Sequence, residues 1–532
     1  MSSDTVIIGA GVNGLVTAAF LARAGRKVLV LERGDHIGGC ARTTGLVPGF
    51  RCPTLAHVAS IDPAIVRALD LARHGLRIIR PDADICAPTA GDRALVLWRD
   101  QARAAQEIRG FSASDADKYP RFLVSFSRIA AVLRNVCKSI PPSIDEPNAA
   151  DLFTLLKAGR AFRGLGRADA YRMLRWMPMS VADLADEWFQ SEPLRSVIAA
   201  GGILGSFLGP RSSGSAALLL LLGAGEGQPL ANGWFAAGGP GALADALAAA
   251  AQRAGAEIRT LSDIVSINVT GETATGVTLT TGEVISARTV ISNADPKRTL
   301  LGLVGATHLG PEFVRRMQNL RSHGTLAKVN YAVDALPRFT SLRSREASEQ
   351  AAALSGRIRL ASGVDAIERA FDAAKYGGFA EEPWIELTIP SIIDPALAPP
   401  GRHVVSAYVQ YAPYHLRGSN WDSERDRLGD AATRTIARYA PDFESSIVGR
   451  EVITPLDLER SYGLTGGHIF HGEIALDQFF VTRPLLGWAR YATPIKNLFL
   501  CGSGTHPGTG MDGRSGALAA RQVLKAPATW KP

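Results

Sequence analysis

Cysteine is scarce in this chain. Its 532 residues hold only Cys40, Cys52, Cys86, Cys137 and Cys501, far apart and with no C-x-x-C spacing. That excludes a disulfide framework and a dithiol reductase as the organising chemistry. Long apolar runs are missing as well: the longest, Ala216 to Leu222, falls far short of the roughly 20 residues a membrane span needs. Nor is there a Lys/Arg block. The net charge of +8 and pI of about 9.3 come from scattered residues, mostly Arg, so the surface reads as generally basic. With no nucleic-acid motif, nucleic acid is not expected as a partner, while peripheral contact with a membrane stays open. The first strand begins almost at Met1, which leaves no room for a cleavable signal and makes a cytoplasmic, reducing compartment the expectation. Charged residues at 20% and hydrophobic residues at 46% describe a folded protein, and the length implies at least two domains.

What the sequence does have begins at once. Thr5 to Arg33 reads TVIIGAGVNGLVTAAFLARAGRKVLVLER. Val6 to Ile8 form a short apolar run suited to a buried parallel strand. Gly9, Gly11 and Gly14 give G-x-G-x-x-G, in which the first glycine makes the turn, the second admits a pyrophosphate and the third lets a helix pack on the strand. Leu15 to Ala24 is that helix, Gly25 stops it, and Val28 to Leu31 is a second strand with Glu32 at its carboxyl end. A carboxylate there accepts the hydroxyls of an adenosine ribose. The motif sits in the context it requires, but alone it does not separate NAD from FAD.

Glu32-Arg33 is followed by Gly38-Gly39 and Arg42, giving E-R-x-x-x-x-G-G-x-x-R. The glycines let backbone lie against a ligand, and Arg42 can reach a phosphate or a flavin edge or form a surface salt bridge. This combination resembles the FAD-dependent amine oxidase and phytoene desaturase superfamily. In that superfamily the paired glycines and the arginine lie along the FAD pyrophosphate and ribityl chain, so Arg33, Gly39 and Arg42 are candidate cofactor residues by resemblance.

Further along, Leu76 to Trp98 reads as a hairpin around Ala90-Gly91-Asp92. Asp151 to Phe162, Ala168 to Trp176 and Val181 to Phe189 have helical spacing. Tyr171, Met173, Trp176, Met177, Met179, Trp188 and Phe189 suggest either a tunnel for a lipophilic substrate or an ordinary helical core. Gly201 to Gly227 is rich in Gly, Leu and Ser, with a buried helix around Leu218 to Leu222. Gly238 to Gly241 opens a helix over Ala242 to Ala254. The strand Glu257 to Leu261, a meander over Ile264 to Thr280 and the strand Thr289 to Ser292 follow. Resemblance places backbone near Val265 against the adenine and makes Asn293, within Ser292 to Pro296 (SNADP), a cofactor residue. Thr325 to Val333, Trp384 to Ile389 and His403 to Gln410 read as strands that floor an active site, and Asp422 to Tyr439 as a helix.

Asn497 to Leu524 repeats the opening pattern: strand Leu498 to Cys501, glycines 502, 504, 508, 510 and 513, then a helix over Gly516 to Leu524. Such pairing is typical of FAD oxidoreductases, and Gly502, Met511, Asp512 and Gly513 join the cofactor candidates. Upstream, Gly466 to Glu473 (GGHIFHGE), Leu476-Asp477-Gln478 and Arg483-Pro484 resemble the phytoene dehydrogenase-related branch, the pyridine nucleotide-disulfide oxidoreductase domain-containing protein 2-like group. Asp512 and Arg514 stand where relatives usually carry small and apolar residues. His468, His471 and His506 are acid–base candidates, and structural roles are equally open to them. No consistent metal ligand set appears, so no metal is expected.

The expectation is an α/β protein: a Rossmann-like FAD-binding domain of two-dinucleotide type, from segments 1–75, 235–310 and 455–532. The rest, 76–234 and 311–454, builds a mixed α+β substrate domain. The resemblance implies FAD chemistry of dehydrogenase or desaturase type on an apolar substrate (a polyene, isoprenoid or lipid), with oxygen or a quinone as electron acceptor. A flavin-dependent isomerase, an amine oxidase and a non-catalytic FAD-binding partner protein are the alternatives.

Overall fold

A computed structural model describes residues 3–226 and 234–525. Two seven-stranded sheets organise it. In the first, Ser3–Ile8 lies between Val28–Leu31 and Val284–Ser292, parallel to both, and Glu257–Arg259 extends the parallel set beyond Val28–Leu31. Val284–Ser292 is long enough to do two jobs. Its first half pairs antiparallel with Thr273–Leu279, and its last residues pair parallel with Leu498–Leu500. Strands from the start, middle and end of the chain therefore close one sheet. Their apolar residues are buried on both faces, as parallel strands covered by helices must be.

Helix Val12–Arg23 is wedged between helices Gly241–Arg253 and Arg514–Lys525. The fit depends on glycine: a Cβ at Gly516 would lie 2.2 Å from the Asn13 carbonyl oxygen. The Thr17 hydroxyl sits in the same seam, 2.8 Å from the Asn13 carbonyl and 3.0 Å from that of Gly516.

The second sheet runs in the order Ile447–Ile453, Leu326–Val333, His403–Gln410, Trp384–Thr388, Arg357–Arg359, Ala83–Pro88, Ala94–Trp98. It is antiparallel except where Arg357–Arg359 meets Ala83–Pro88. Helices Ala113–Cys137 and Ser215–Glu226 form part of a helical layer, with Ala149–Gly164 and Gly166–Trp176 against it. The glycine-rich stretch read up to Gly227 ends outside the described residues.

The aromatic helical region is core, not a tunnel. Trp176 and Phe189 are buried, and with Trp188 they surround Phe122 at centroid distances of 5.3 to 6.0 Å. Tyr171 points outward and is 61% exposed. Edge-to-face packing of large rings fills the space a tunnel would need.

All five cysteines are free thiols. Among the described residues no helix is long and apolar enough to cross a membrane, and no group of His, Cys, Asp and Glu has a metal-binding arrangement.

Candidate functional site

The carboxyl ends of Ser3–Ile8, Val28–Leu31 and Val284–Ser292 meet at one edge of the first sheet, where doubly wound α/β proteins bind ligands. A cavity with about 1140 Å³ of empty space opens there. Gly9 turns the chain at φ +91°, a conformation costly for any residue with a Cβ. Gly11 caps the following helix with no side-chain hydrogen bond, and no acid occupies its first turn. The first N–H groups thus have no capping side chain, and the helix dipole favours an anion at this end. A Cβ on Gly11 would lie 2.7 Å from Asn293 Nδ2, so the loop, Asn293 and the space beside them form one cradle.

Glu32 is fixed from behind. Its Oε2 accepts the Ala10 N–H at 2.8 Å and its Oε1 the Gly34 N–H at 3.0 Å. Each carboxylate oxygen can accept twice, so the face toward the cavity keeps acceptor capacity for two ribose hydroxyls. Arg33 donates to the Ser461 carbonyl at 2.6 Å and Arg42 to that of His36 at 2.7 Å. Arg42 Nε, Asn13 Oδ1 and His471 Nδ1 are enclosed polar atoms without protein partners, and all three residues line the cavity. Orphaned buried polar atoms on a glycine cradle are what a polar, phosphate-bearing ligand would satisfy. The residues present fit an adenine dinucleotide.

Of the expected cofactor residues, the structure brings Gly9, Gly11, Glu32, Arg33, Gly39, Arg42, Asn293 and Met511 to this cavity. The others stand behind it. Gly14 packs helix on strand, where a Cβ would meet the Gly9 carbonyl at 2.2 Å. Gly502 crosses the Asn293 carbonyl, with 2.6 Å available to a Cβ. The expectation at Val265 is a backbone contact: its side chain turns to solvent, and the adjoining Ser262, Asp263 and Ile264 line the wall. Gly513 faces Ile65 and Val16.

The Asp512 side chain turns into an ion pair instead of the cavity. It shares Arg514 with Asp62, at 3.3 and 2.7 Å, and Asp62 in turn caps helix Pro63–Ala68. Arg514 opens a helix, where a cation opposes the dipole, and the two aspartates compensate for it. Burial raises the Asp512 carboxyl pKa, with Arg514 pulling the other way.

The three candidate histidines part company. His471 lines the first cavity. His468 is buried away from both cavities, its Nδ1 accepting the Phe470 N–H, and burial brings its pKa down to about 3. His506 sits between Phe479 and Phe480 with Nε2 3.2 Å from the Val136 carbonyl, and burial holds it at about 3 too. Both are neutral structural groups near neutral pH.

A second cavity of about 850 Å³ adjoins the first, sharing Cys40, Ile469, Gly510 and Met511 with it. Leu55, Val58, Leu204, Leu222, Leu326 and Phe470 give it apolar walls. Its floor comes from the second sheet, and it is charged. Lys328 is 2% exposed, and its Nζ has no hydrogen-bond partner and lies 4.4 Å from the Tyr408 ring centroid. His57 stacks on the same ring at 3.7 Å. Burial pushes the Lys328 ammonium well below its usual range, and burial together with Lys328 and Arg357 does the same to His57. Below them Glu386 binds Arg357 and Arg359 at 3.0 and 2.7 Å. Burial opposes ionisation of Glu386, but the two arginines outweigh it and keep its pKa below the usual carboxyl value. Cys40 is no nucleophile here, since burial pushes its thiol up to about 11.

Sequence reasoning named the strands of this floor but not Lys328, His57, Arg357 or Tyr408. A lysine flanked by Ala327 and Val329 in a strand was the one local signal available.

Comparison with known proteins gives the same picture. Residues 7–70 match an NAD(P)-binding Rossmann-like domain model, and residues 180–524 match the model of flavin containing amine oxidoreductases. The chain is 36% identical to pyridine nucleotide-disulfide oxidoreductase domain-containing protein 2 of Rattus norvegicus, covering 98% of this chain and 93% of that one. It is 26% identical to a component chain of the limonene dehydrogenase of Castellaniella defragrans, covering 98% and 94%. It is also 26% identical to a lycopene-forming phytoene desaturase of Pantoea ananas, covering 98% of each. Among solved structures, a putrescine oxidase variant shares the fold at a TM-score of 0.62 and 16% identity, covering 99% of this chain and all of that one.

Proposed function

The chain belongs to the flavin containing amine oxidoreductases, within the amine oxidase and phytoene desaturase superfamily, and from that premise we propose that it oxidises an apolar substrate as a dehydrogenase or desaturase. It is an FAD-dependent oxidoreductase. The finer reading is carried by one observation, the apolar second cavity continuous with the dinucleotide cradle. No carboxylate is among the described residues that line it, and Arg357 on its floor is cationic, which favours a hydrocarbon-like substrate over the ammonium ion of an amine. The names of the limonene dehydrogenase and phytoene desaturase relatives agree with that class.

FAD, when bound, supplies the acceptor for a hydride or for electrons. The chain's own residues hold, orient and desolvate. Glu32 would hold the ribose end, and the Gly9–Gly11 turn and the helix behind it would take the pyrophosphate, with Arg42 alongside. Leu55, Val58, Leu204 and Leu222 keep water from the reacting carbon. Lys328 Nζ, whose ammonium form burial disfavours, is the group placed to take up a proton there, a role for which the sequence offered histidines as candidates. Oxygen or a quinone would reoxidise the protein.

The test is anaerobic mixing of the purified protein with a panel of terpenes, polyenes and long-chain lipids. A member of the panel should bleach the visible flavin bands and yield a product two hydrogens lighter. Bleaching by primary amines alone would replace this reading with amine oxidation. Product of unchanged mass formed only by the reduced protein would replace it with isomerisation.

A further inference from the structure

Helix Ala149–Gly164 is unusual for a protein surface. Of its 16 residues only Asp151 is buried. Leu152 is 57% exposed, Phe153 68%, Leu155 47% and Leu156 70%, and Leu174 on the next helix is 61% exposed. Leu152, Leu155 and Leu156 fall at i, i+3 and i+4, so they share one face, with Phe153 at its edge. Single exposed leucines need no explanation, but four large apolar side chains within two turns mark a contact surface. The helix is not loose: Asn148 and Asp151 form a capping box at its start, and Asp151 accepts from Arg490 at 2.9 and 3.1 Å.

The chemistry of the flank selects the partner. Lys157, Arg160, Arg163 and Arg167 follow the apolar turns, all exposed and without an ion pair among the described residues. Asp145 and Glu146 precede the helix, so the stretch keeps an excess of positive charge. An apolar face followed by unpaired cations matches the interfacial zone of a bilayer, where acyl chains lie beneath anionic headgroups. Helix Ala113–Cys137 contacts both this helix and Ser215–Glu226, whose Leu222 lines the second cavity. The apolar face and the cavity thus flank one helical layer.

We propose that helix Ala149–Gly164 docks this protein on the surface of an anionic lipid bilayer, with Leu152, Phe153, Leu155 and Leu156 entering the interface and Lys157, Arg160 and Arg163 meeting the headgroups. The inference rests on this surface and not on the substrate reading, and its test uses no turnover.

The flavin-loaded full chain is sedimented with vesicles of phosphatidylcholine alone or mixed with phosphatidylglycerol. Three proteins are compared: wild type, Leu152→Gln/Phe153→Gln/Leu156→Gln, and Lys157→Glu/Arg160→Glu/Arg163→Glu. Flavin content and melting temperature serve as the folding controls. Wild type should bind the anionic vesicles at least tenfold more tightly than the neutral ones, and lose that preference in high salt. Each variant should lose at least tenfold of the binding with the controls unchanged. Equal binding by all three proteins would overturn the proposal. So would absence of vesicle binding, including the case where light scattering shows a wild-type dimer that the glutamine variant dissociates, because the face would then belong to a second copy of the chain.

Discussion

At Gly11 the cradle leaves no room: an added Cβ would stand 2.7 Å from Asn293 Nδ2 and intrude where the pyrophosphate approaches the helix. Gly11→Ala should therefore fold but lose flavin. The visible-to-ultraviolet absorbance ratio should fall about tenfold or more, the effect of roughly 1.4 kcal/mol or more of lost affinity. Lys328 makes the opposite kind of claim. A buried amine without a partner costs stability, so Lys328→Met should raise stability by about 1–3 kcal/mol while slowing flavin reduction by substrate. Its lowered pKa gives the sign of the pH effect. The folded chain binds this proton more weakly than the unfolded one, whose lysine pKa is about 10.4, so the variant's advantage should shrink as the pH rises toward that value. His468 and His506 act at lower pH. Both are neutral in the folded state down to about 3. Their stabilisation is complete above the unfolded pKa of about 6.5 and is lost below it, by about 1.4 kcal/mol per pH unit for each histidine. Urea midpoints at neutral and mildly acidic pH should show that slope, and His506→Gln should remove one proton's worth of it.

Elements near in sequence were legible and elements built from distant residues were not. The opening strand, turn, helix and strand declare themselves because every residue that defines them lies within one local unit, Val6 to Glu32. The C-terminal unit repeats the pattern, and its helix starts at Arg514, two residues before the expected start. Arg514 shows why the detail was hidden: its partner Asp62 is 452 positions away, so Asp512 read as a cofactor residue and Arg514 only as a departure from relatives. Removing the cation leaves two buried carboxylates side by side with Lys138, 3.6 Å from Asp62, left to offset them. Arg514→Met should cost about 3–5 kcal/mol in unfolding free energy, and adding Asp512→Asn should recover part of it. The second cavity was hidden for the same reason. Its floor joins His57, Lys328, Arg357 and Tyr408 from three strands and a loop, and no local pattern carries that juxtaposition. The aromatic helices misled in the other direction. Bulky side chains at helical spacing describe a core and a tunnel wall equally well, and only the mutual packing of Phe122, Trp176, Trp188 and Phe189 decides.

For the whole molecule, two sheets from interleaved segments hold two adjoining cavities, one polar and built on glycine turns, one apolar over a charged floor. The central claim is that the first holds FAD and the second presents an apolar substrate to it. The most direct measurement is the absorption spectrum of the purified protein with its released cofactor identified, followed by anaerobic titration with the apolar panel. The account predicts close to one FAD per chain and bleaching by a member of the panel. A colourless protein that takes up no added FAD would contradict it at the first step. A fully loaded protein that only amines reduce would contradict it at the second.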